Sequence, residues 1–188
     1  MKTLIKVAQY GLITTGILAL GYYLAVYLDQ RHFQLTETRR FRENLHPQSA
    51  VPQRTIQNGA VLGRLEIPRI GLAVMVVEGV EDSDLKRAAG RIPGTALPGQ
   101  AGNIGIAAHR DTFFRPLRRI RQGDLLILST RQSVYRYRVV STDVVSPAAV
   151  QVLYPTANDS LTLVTCYPFD YIGPAPKRFI VRAGRVQD

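Results

Sequence analysis

No charged residue interrupts the chain between Lys6 and Asp29. That stretch, VAQYGLITTGILALGYYLAVYL (7–28), constrains everything else. Apolar runs of about 20 residues match the hydrocarbon core of a bilayer. Tyr22, Tyr23 and Tyr27 gather near its far end, as interfacial aromatics do. A cleaved signal peptide would have a shorter apolar region, about 7–15 residues, and a small-residue cleavage site. No such site follows Leu28. Residues 1–28 are therefore expected to be one N-terminal transmembrane anchor. Its orientation stays open on charge alone. Lys2 and Lys6 favour a cytoplasmic N-terminus, whereas Arg31, Arg39, Arg40 and Arg42 argue the reverse.

Residues 29–58 are polar and interrupted by Pro47 and Pro52, which reads as a stalk. Its first part is able to extend the membrane helix. Its second part, HPQSAVPQRTIQNG, has the composition of a flexible linker. His32 and His46 fall here and are expected to be exposed and without function. Residues 59–188 remain as one globular domain, long enough to bury a core without staples.

Within that domain short apolar runs alternate with turn signals. Val61–Ile67, Ala73–Val77, Asn103–Ala108, Asp124–Thr130, Val134–Thr142, Leu161–Thr165 and Phe179–Ala183 read as strands. LEIPRIGL carries the first into a proline-containing bend. Val134–Thr142 alternates tyrosine and valine with arginine, so one face is expected to be buried. Ser83–Ala89 reads as a brief helix stopped by Gly90, Thr112–Arg119 as one helical turn, and Ala148–Leu153 as a short helix or turn. The expected fold is mostly β: a largely antiparallel barrel or sandwich of about seven or eight strands with short helices.

The chain of 188 residues carries a formal charge of +10. An acidic partner is compatible with this, but a solvated basic surface explains it better than a nucleic-acid site. The basic run Arg110, Arg115, Arg118, Arg119 and Arg121 is read the same way. One cysteine permits no internal disulfide, and the three histidines are scattered away from it. No zinc-ligand cluster and no glycine-rich phosphate loop results. No metal or cofactor is expected.

The chemistry that remains rests on Cys166. It ends an apolar, β-branched run and is followed by Tyr167–Pro168, which stops a strand. A free cysteine, with pKa about 8.5, is mostly protonated at neutral pH and needs a histidine or a cation to act as a nucleophile. The domain holds one histidine, His109, also at the end of a strand candidate. Arg178 opens the strand candidate after Cys166, and its planar fork suits a carbonyl or a developing oxyanion. If these strands are neighbours, the three ends share a cleft. Against this, a lone buried cysteine is usually an inert small hydrophobe and a lone histidine usually structural. Asp111 and Asp170 suggest a carboxylate orienting the histidine, but their spacing fixes no such contact.

The wording around each residue adds a resemblance. TLVTC (162–166) matches the TLxTC signature of sortases, membrane-anchored cysteine transpeptidases of bacterial surfaces. AAHRDTFFRPLRRIRQGD (107–124) resembles the segment around the sortase histidine. YPFDYIGPAPKRFIVRA (167–183) resembles the loop and strand carrying the sortase arginine. The order histidine, cysteine, arginine agrees, and the wording is most similar to class D sortases.

The resemblance implies an eight-stranded closed barrel and the following roles. Cys166 is the nucleophile that forms an acyl-thioester. His109 is the general acid and then the base, and Arg178 orients substrate and supports the oxyanion. Thr165 contacts substrate. The implied reaction cleaves a Leu-Pro-x-Thr-Gly-like sorting signal after threonine and transfers the acyl group to an amine, from a peptidoglycan stem peptide or a pilin lysine. The implied partners are proteins bearing that signal, the amine acceptor and the lipid bilayer, with no nucleic acid. The implied place is the cell membrane, N-terminus cytoplasmic and domain outside.

Two other readings compete. One is a different extracytoplasmic thiol hydrolase or transpeptidase. L,D-transpeptidases keep histidine and cysteine in one short motif, and papain-like peptidases place cysteine first; neither pattern is present. The other is a catalytically silent, membrane-tethered binding domain, in which Cys166 would be unreactive.

Overall fold

The computed structural model describes residues 2–43 and 57–186. Eight strands close a barrel: β1 (Val61–Ile67), β2 (Leu72–Glu78), β3 (Ala89–Arg91), β4 (Asn103–Ala107), β5 (Leu125–Ser129), β6 (Val134–Val145), β7 (Ser160–Tyr167) and β8 (Lys177–Arg185). Around the barrel the order is β1-β2-β3-β4-β7-β8-β6-β5. The mostly β, eight-stranded barrel expected from the sequence is thus the observed fold. Two pairings are parallel, β2–β3 and β4–β7. The second matters most, because parallel pairing brings the C-terminal ends of two distant segments to one end of the barrel.

Period-two alternation fills the interior. Leu65 and Ile67, Leu126 and Leu128, Tyr137 and Val139, Leu161 and Leu163, and Val181 and Ala183 point into one core. Each fully buried Leu or Ile contributes about 1.5–3 kcal/mol by leaving water, which is why the register of β7 is strongly fixed. A slip by one residue would turn Cys166 inward and Leu163 outward.

Three elements differ from the sequence reading. The helix expected over Ser83–Ala89 is shorter: α2 spans Asp82–Leu85, and Ala89–Arg91 is the strand β3 instead. Gly90 lies there because backbone passes close by; a Cβ on it would meet the Gly79 carbonyl oxygen at 2.0 Å. Strand β6 runs on to Val145, since it pairs with β5 over Val134–Arg138 and with β8 from Tyr137 to Val145, with an irregularity between Val139 and Ser141. Strand β7 continues through Cys166 and Tyr167 because Arg178 and Lys177 pair with them. Single 3-10 turns occupy Pro68–Ile70, Arg115–Arg119 and Val150–Leu153.

The N-terminal segment is one helix, α1 (Lys2–Glu43). At 1.5 Å per residue it is about 60 Å long. It is long and apolar enough to cross a membrane by length and composition. Its apolar part stands clear of the barrel, with large side chains such as Leu12 and Leu20 exposed. Its last turns do not. Gln34 donates to the Arg87 carbonyl at 2.7 Å and accepts from the Met75 N–H at 3.0 Å. That N–H lies just before the β2–β3 ladder begins at Val76. The Gln34 amide therefore stands in for a missing strand residue. Arg64 donates to Thr38 at 2.7 Å, and Phe41 is buried. The polar segment 29–43 is thus helical and docked on β1 and β2, the wall across the barrel from β7 and β8. The expected flexible linker falls largely on residues 44–56, outside the described residues.

Candidate active site

Strands β4, β7 and β8 are consecutive in the barrel. Cys166 and Arg178 are direct partners in the antiparallel β7–β8 ladder. Leu161 and Leu163 point into the core and Thr165 is buried, so alternation turns Cys166 to the outer face. Arg178, opposite it, lies on the same face, where cross-strand neighbours interact. Cys166 is half-buried and carries a free thiol.

His109 reaches the same place by way of β4. The parallel ladder runs to Ala107 opposite Val164. One residue further, Ala108 donates its N–H to the Val164 carbonyl at 3.3 Å. The Thr165 hydroxyl donates to the Ala108 carbonyl at 2.7 Å. His109 follows Ala108 just as Cys166 follows Thr165, so both emerge at one end of one strand pair. The turn after His109 is fixed by its own carbonyl, which accepts from the Phe114 N–H at 3.0 Å, and by burial of the Phe114 ring.

The structure accordingly brings His109, Cys166 and Arg178 to adjacent strand ends. Thr165 is beside them, but its side chain runs inward, 2% exposed and bonded to Ala108. The Arg178 Nη1 donates to the carbonyls of Ala175 and Lys177, at 3.2 and 3.1 Å, which steadies the loop before β8. Asp170 is exposed and paired with Arg118 at 3.4 Å, and Asp111 is exposed as well. On the outer face of β4, Gly105 lies under Leu153 and Ile92; a Cβ there would meet Leu153 Cδ2 at 2.9 Å. The segments before β4 and before β7 thus flank the strand pair that carries His109 and Cys166.

The histidine segment is anchored at its far end too. Arg69 donates to both carboxylate oxygens of Asp124 and to the Arg119 carbonyl. Arg119 in turn donates to the Ile70 carbonyl at 2.8 Å. The Arg69 guanidinium, together with the Arg121 N–H, holds the Asp124 carboxyl below the usual carboxylate range, against the opposing effect of burial.

A family model described as the sortase domain matches residues 65–186. This chain belongs to the sortase family. Sortases are cysteine transpeptidases, and Cys166 is the one cysteine of this one. The sortase is 35% identical to sortase D of Bacillus subtilis over 69% of this chain and 66% of that protein. It is 28% identical to sortase A of Listeria monocytogenes over 64% of this chain and 54% of that protein. The chain therefore spans less than two thirds of the length of these relatives. Among solved structures it resembles a sortase D5 transpeptidase of Clostridium perfringens, with TM-score 0.72 and 25% identity. That match covers 85% of this chain and 99% of the other.

Sequence reasoning missed the work of the basic run. Arg110, Arg118 and Arg119, read as solvated, reach the β7–β8 loop and the β1–β2 turn. Nothing in their spacing announces this, because the partners are carbonyls and a carboxylate distant in sequence.

Proposed function

We propose that this sortase cleaves a Leu-Pro-x-Thr-Gly-like sorting signal after threonine and transfers the acyl chain to an amine, attaching proteins to the cell surface or polymerising pilin. The observation that carries the reading is the pairing of Cys166 with Arg178 across β7–β8, with His109 at the neighbouring end of β4.

In this reading the Cys166 thiolate attacks the threonine carbonyl carbon. Negative charge gathers on the carbonyl oxygen, and the Arg178 fork donates to it. The C–N bond breaks as protonated His109 gives its proton to the departing glycine amine. The acyl group now sits on Cys166 as a thioester. An acceptor amine then attacks the same carbon, His109 takes a proton from it, and the thiolate leaves. No cofactor is needed, because each proton lost in the first half is recovered in the second.

In the same reading α1 is the membrane anchor, with a cytoplasmic N-terminus and the barrel outside. Its partners are the bilayer, proteins bearing the signal, and a peptidoglycan stem peptide or pilin lysine as acceptor. The test incubates a signal peptide with the full-length protein in detergent, with and without an oligoglycine amine. Cleavage after threonine and an amine-dependent ligated product are expected. Cleavage at another bond, or none, would overturn the reading.

A further inference from the structure

We propose that the turn between α2 and β3, with Lys86 and Arg87, lies in the headgroup layer beside Arg31 of α1 and binds anionic phospholipid. The barrel then meets the bilayer at a second contact besides its anchor. This rests on the reading of α1 as the membrane anchor. The charge-free run 7–28 is about 33 Å long as a helix. That length matches a hydrocarbon core of about 30 Å and sets its edge near Leu28. The headgroup layer beyond the edge is about 5–7 Å thick. Arg31 stands about 4.5 Å past Leu28 along the axis, and Phe33 about 7.5 Å. The Arg31 Cζ lies 5.9 Å from the centre of the Tyr27 ring, so it leans back towards the span. The Arg87 Cζ lies 5.3 Å from the centre of the Phe33 ring. Barrel and anchor therefore meet at headgroup depth, and helix tilt brings the turn lower still.

The docked end of α1 keeps the turn at that depth. Gln34, next to Phe33, donates to the Arg87 carbonyl at 2.7 Å. The helix is unbroken from Lys2 to Glu43, so no hinge separates the span from this bond. The Arg87 Nε donates to the Ser83 carbonyl at 3.3 Å, which steadies its side chain against Phe33. Lys86 and Arg31 are exposed.

Charge chooses the occupant. The nearby acids are Asp29 on α1 and Glu81 and Asp82 at the start of α2, all exposed. Glu81 is turned to Asn58, which donates to it at 3.2 Å. Exposed acids are able to swing towards water, whereas Arg87 is held at its place by the ring beneath it. A guanidinium offers phosphate two parallel hydrogen bonds, and basic residues at this depth favour anionic lipid. Register adds a consequence. Gly90 pairs with Ala107 in the antiparallel β3–β4 ladder. The turn before β3 and His109 after β4 thus sit at the same end of the barrel. Lipid held at Lys86 and Arg87 keeps the His109 end close to the bilayer.

The experiment follows amide exchange over residues 83–87 of the full-length protein in nanodiscs of phosphatidylglycerol or of phosphatidylcholine. Exchange is expected to slow in the anionic lipid at low salt. It should return to the phosphatidylcholine rate at about 0.5 M NaCl, which screens exposed charges. Lys86→Gln and Arg31→Gln, at exposed positions that leave folding intact, should each weaken the protection about fivefold, the effect of one basic residue at a membrane surface. Arg131→Gln, in the β5–β6 turn at the other end of the barrel, should change nothing. Seven alanines inserted after Gln30 lift the barrel by about 10 Å and keep nearly the same side facing the membrane. They should abolish the protection although every charge remains. Equal exchange in the two lipids would overturn the proposal. So would protection that survives the alanine insertion, or that falls equally in Arg131→Gln. A chain washed off vesicles by alkaline carbonate would refute the anchor, and the lipid contact with it. A chain that resists the wash but exchanges alike in both lipids would refute the contact alone.

Discussion

Cys166 and Arg178 face each other as direct partners across the β7–β8 ladder. Strand pairing sets the Arg178 backbone opposite that of Cys166, and the core residues Leu161 and Leu163 earlier on β7 keep that register. In the proposed reaction a fork-shaped donor on this face suits the carbonyl oxygen of a substrate whose carbon is attacked by the sulfur.

Arg178→Lys should therefore not be conservative. Lysine keeps the charge and loses the planar fork. Activity is expected to fall by about 10²–10³, the range for losing one oxyanion donor. Turnover at the wild-type level in a folded Arg178→Lys protein would take Arg178 out of the mechanism.

Thr165 ties the two strand ends together through its hydroxyl bond to Ala108. Thr165→Val keeps the shape and removes the donor, leaving a buried carbonyl unsatisfied at a cost of about 1–3 kcal/mol. Thermal unfolding should report that loss. Thr165→Ser should recover both stability and activity. Equal stability of the valine and serine variants would show that the bond does not matter.

The docked end of α1 predicts where the folded unit begins. Gln34→Ala should destabilise the barrel by about 1–3 kcal/mol, because it strips the Met75 N–H and the Arg87 carbonyl of their partner. A protein beginning at residue 30 should melt higher than one beginning at residue 59. Identical melting temperatures would make the helix a passive tether.

Asp124 predicts an acid limb of stability. Its carboxyl is held low in the folded state by the Arg69 bond, while unfolded aspartate titrates near 3.9. The stabilisation is complete above the unfolded value and is lost as pH falls through the lower, folded one. Asp124→Asn should thus be less stable than wild type at pH 6, with the gap closing towards pH 2. A gap that is constant with pH would mean that charge plays no part in the contact.

Much of this site was legible in the sequence because its parts are strand ends. Apolar runs that stop at Cys166 and His109 mark where a buried strand meets solvent, and the barrel brought those ends together. The β3 strand was not legible. Ala88–Ala89–Gly90 looks like a helix and its stop, whereas Gly90 is there for close backbone approach to Gly79. The docking of Gln34 and the reach of Arg110 were hidden for a common reason. Both side chains bond to backbone groups, and backbone groups leave no trace in the residue pattern.

The most direct test of the account is the mass of the enzyme caught during turnover with a signal peptide and no amine. Wild-type protein is expected to gain the mass of the acyl fragment ending at threonine, on Cys166, and to lose it when an amine is added. Cys166→Ala should show no adduct and no cleavage. Cleavage of the peptide by the Cys166→Ala protein would contradict the account at its centre.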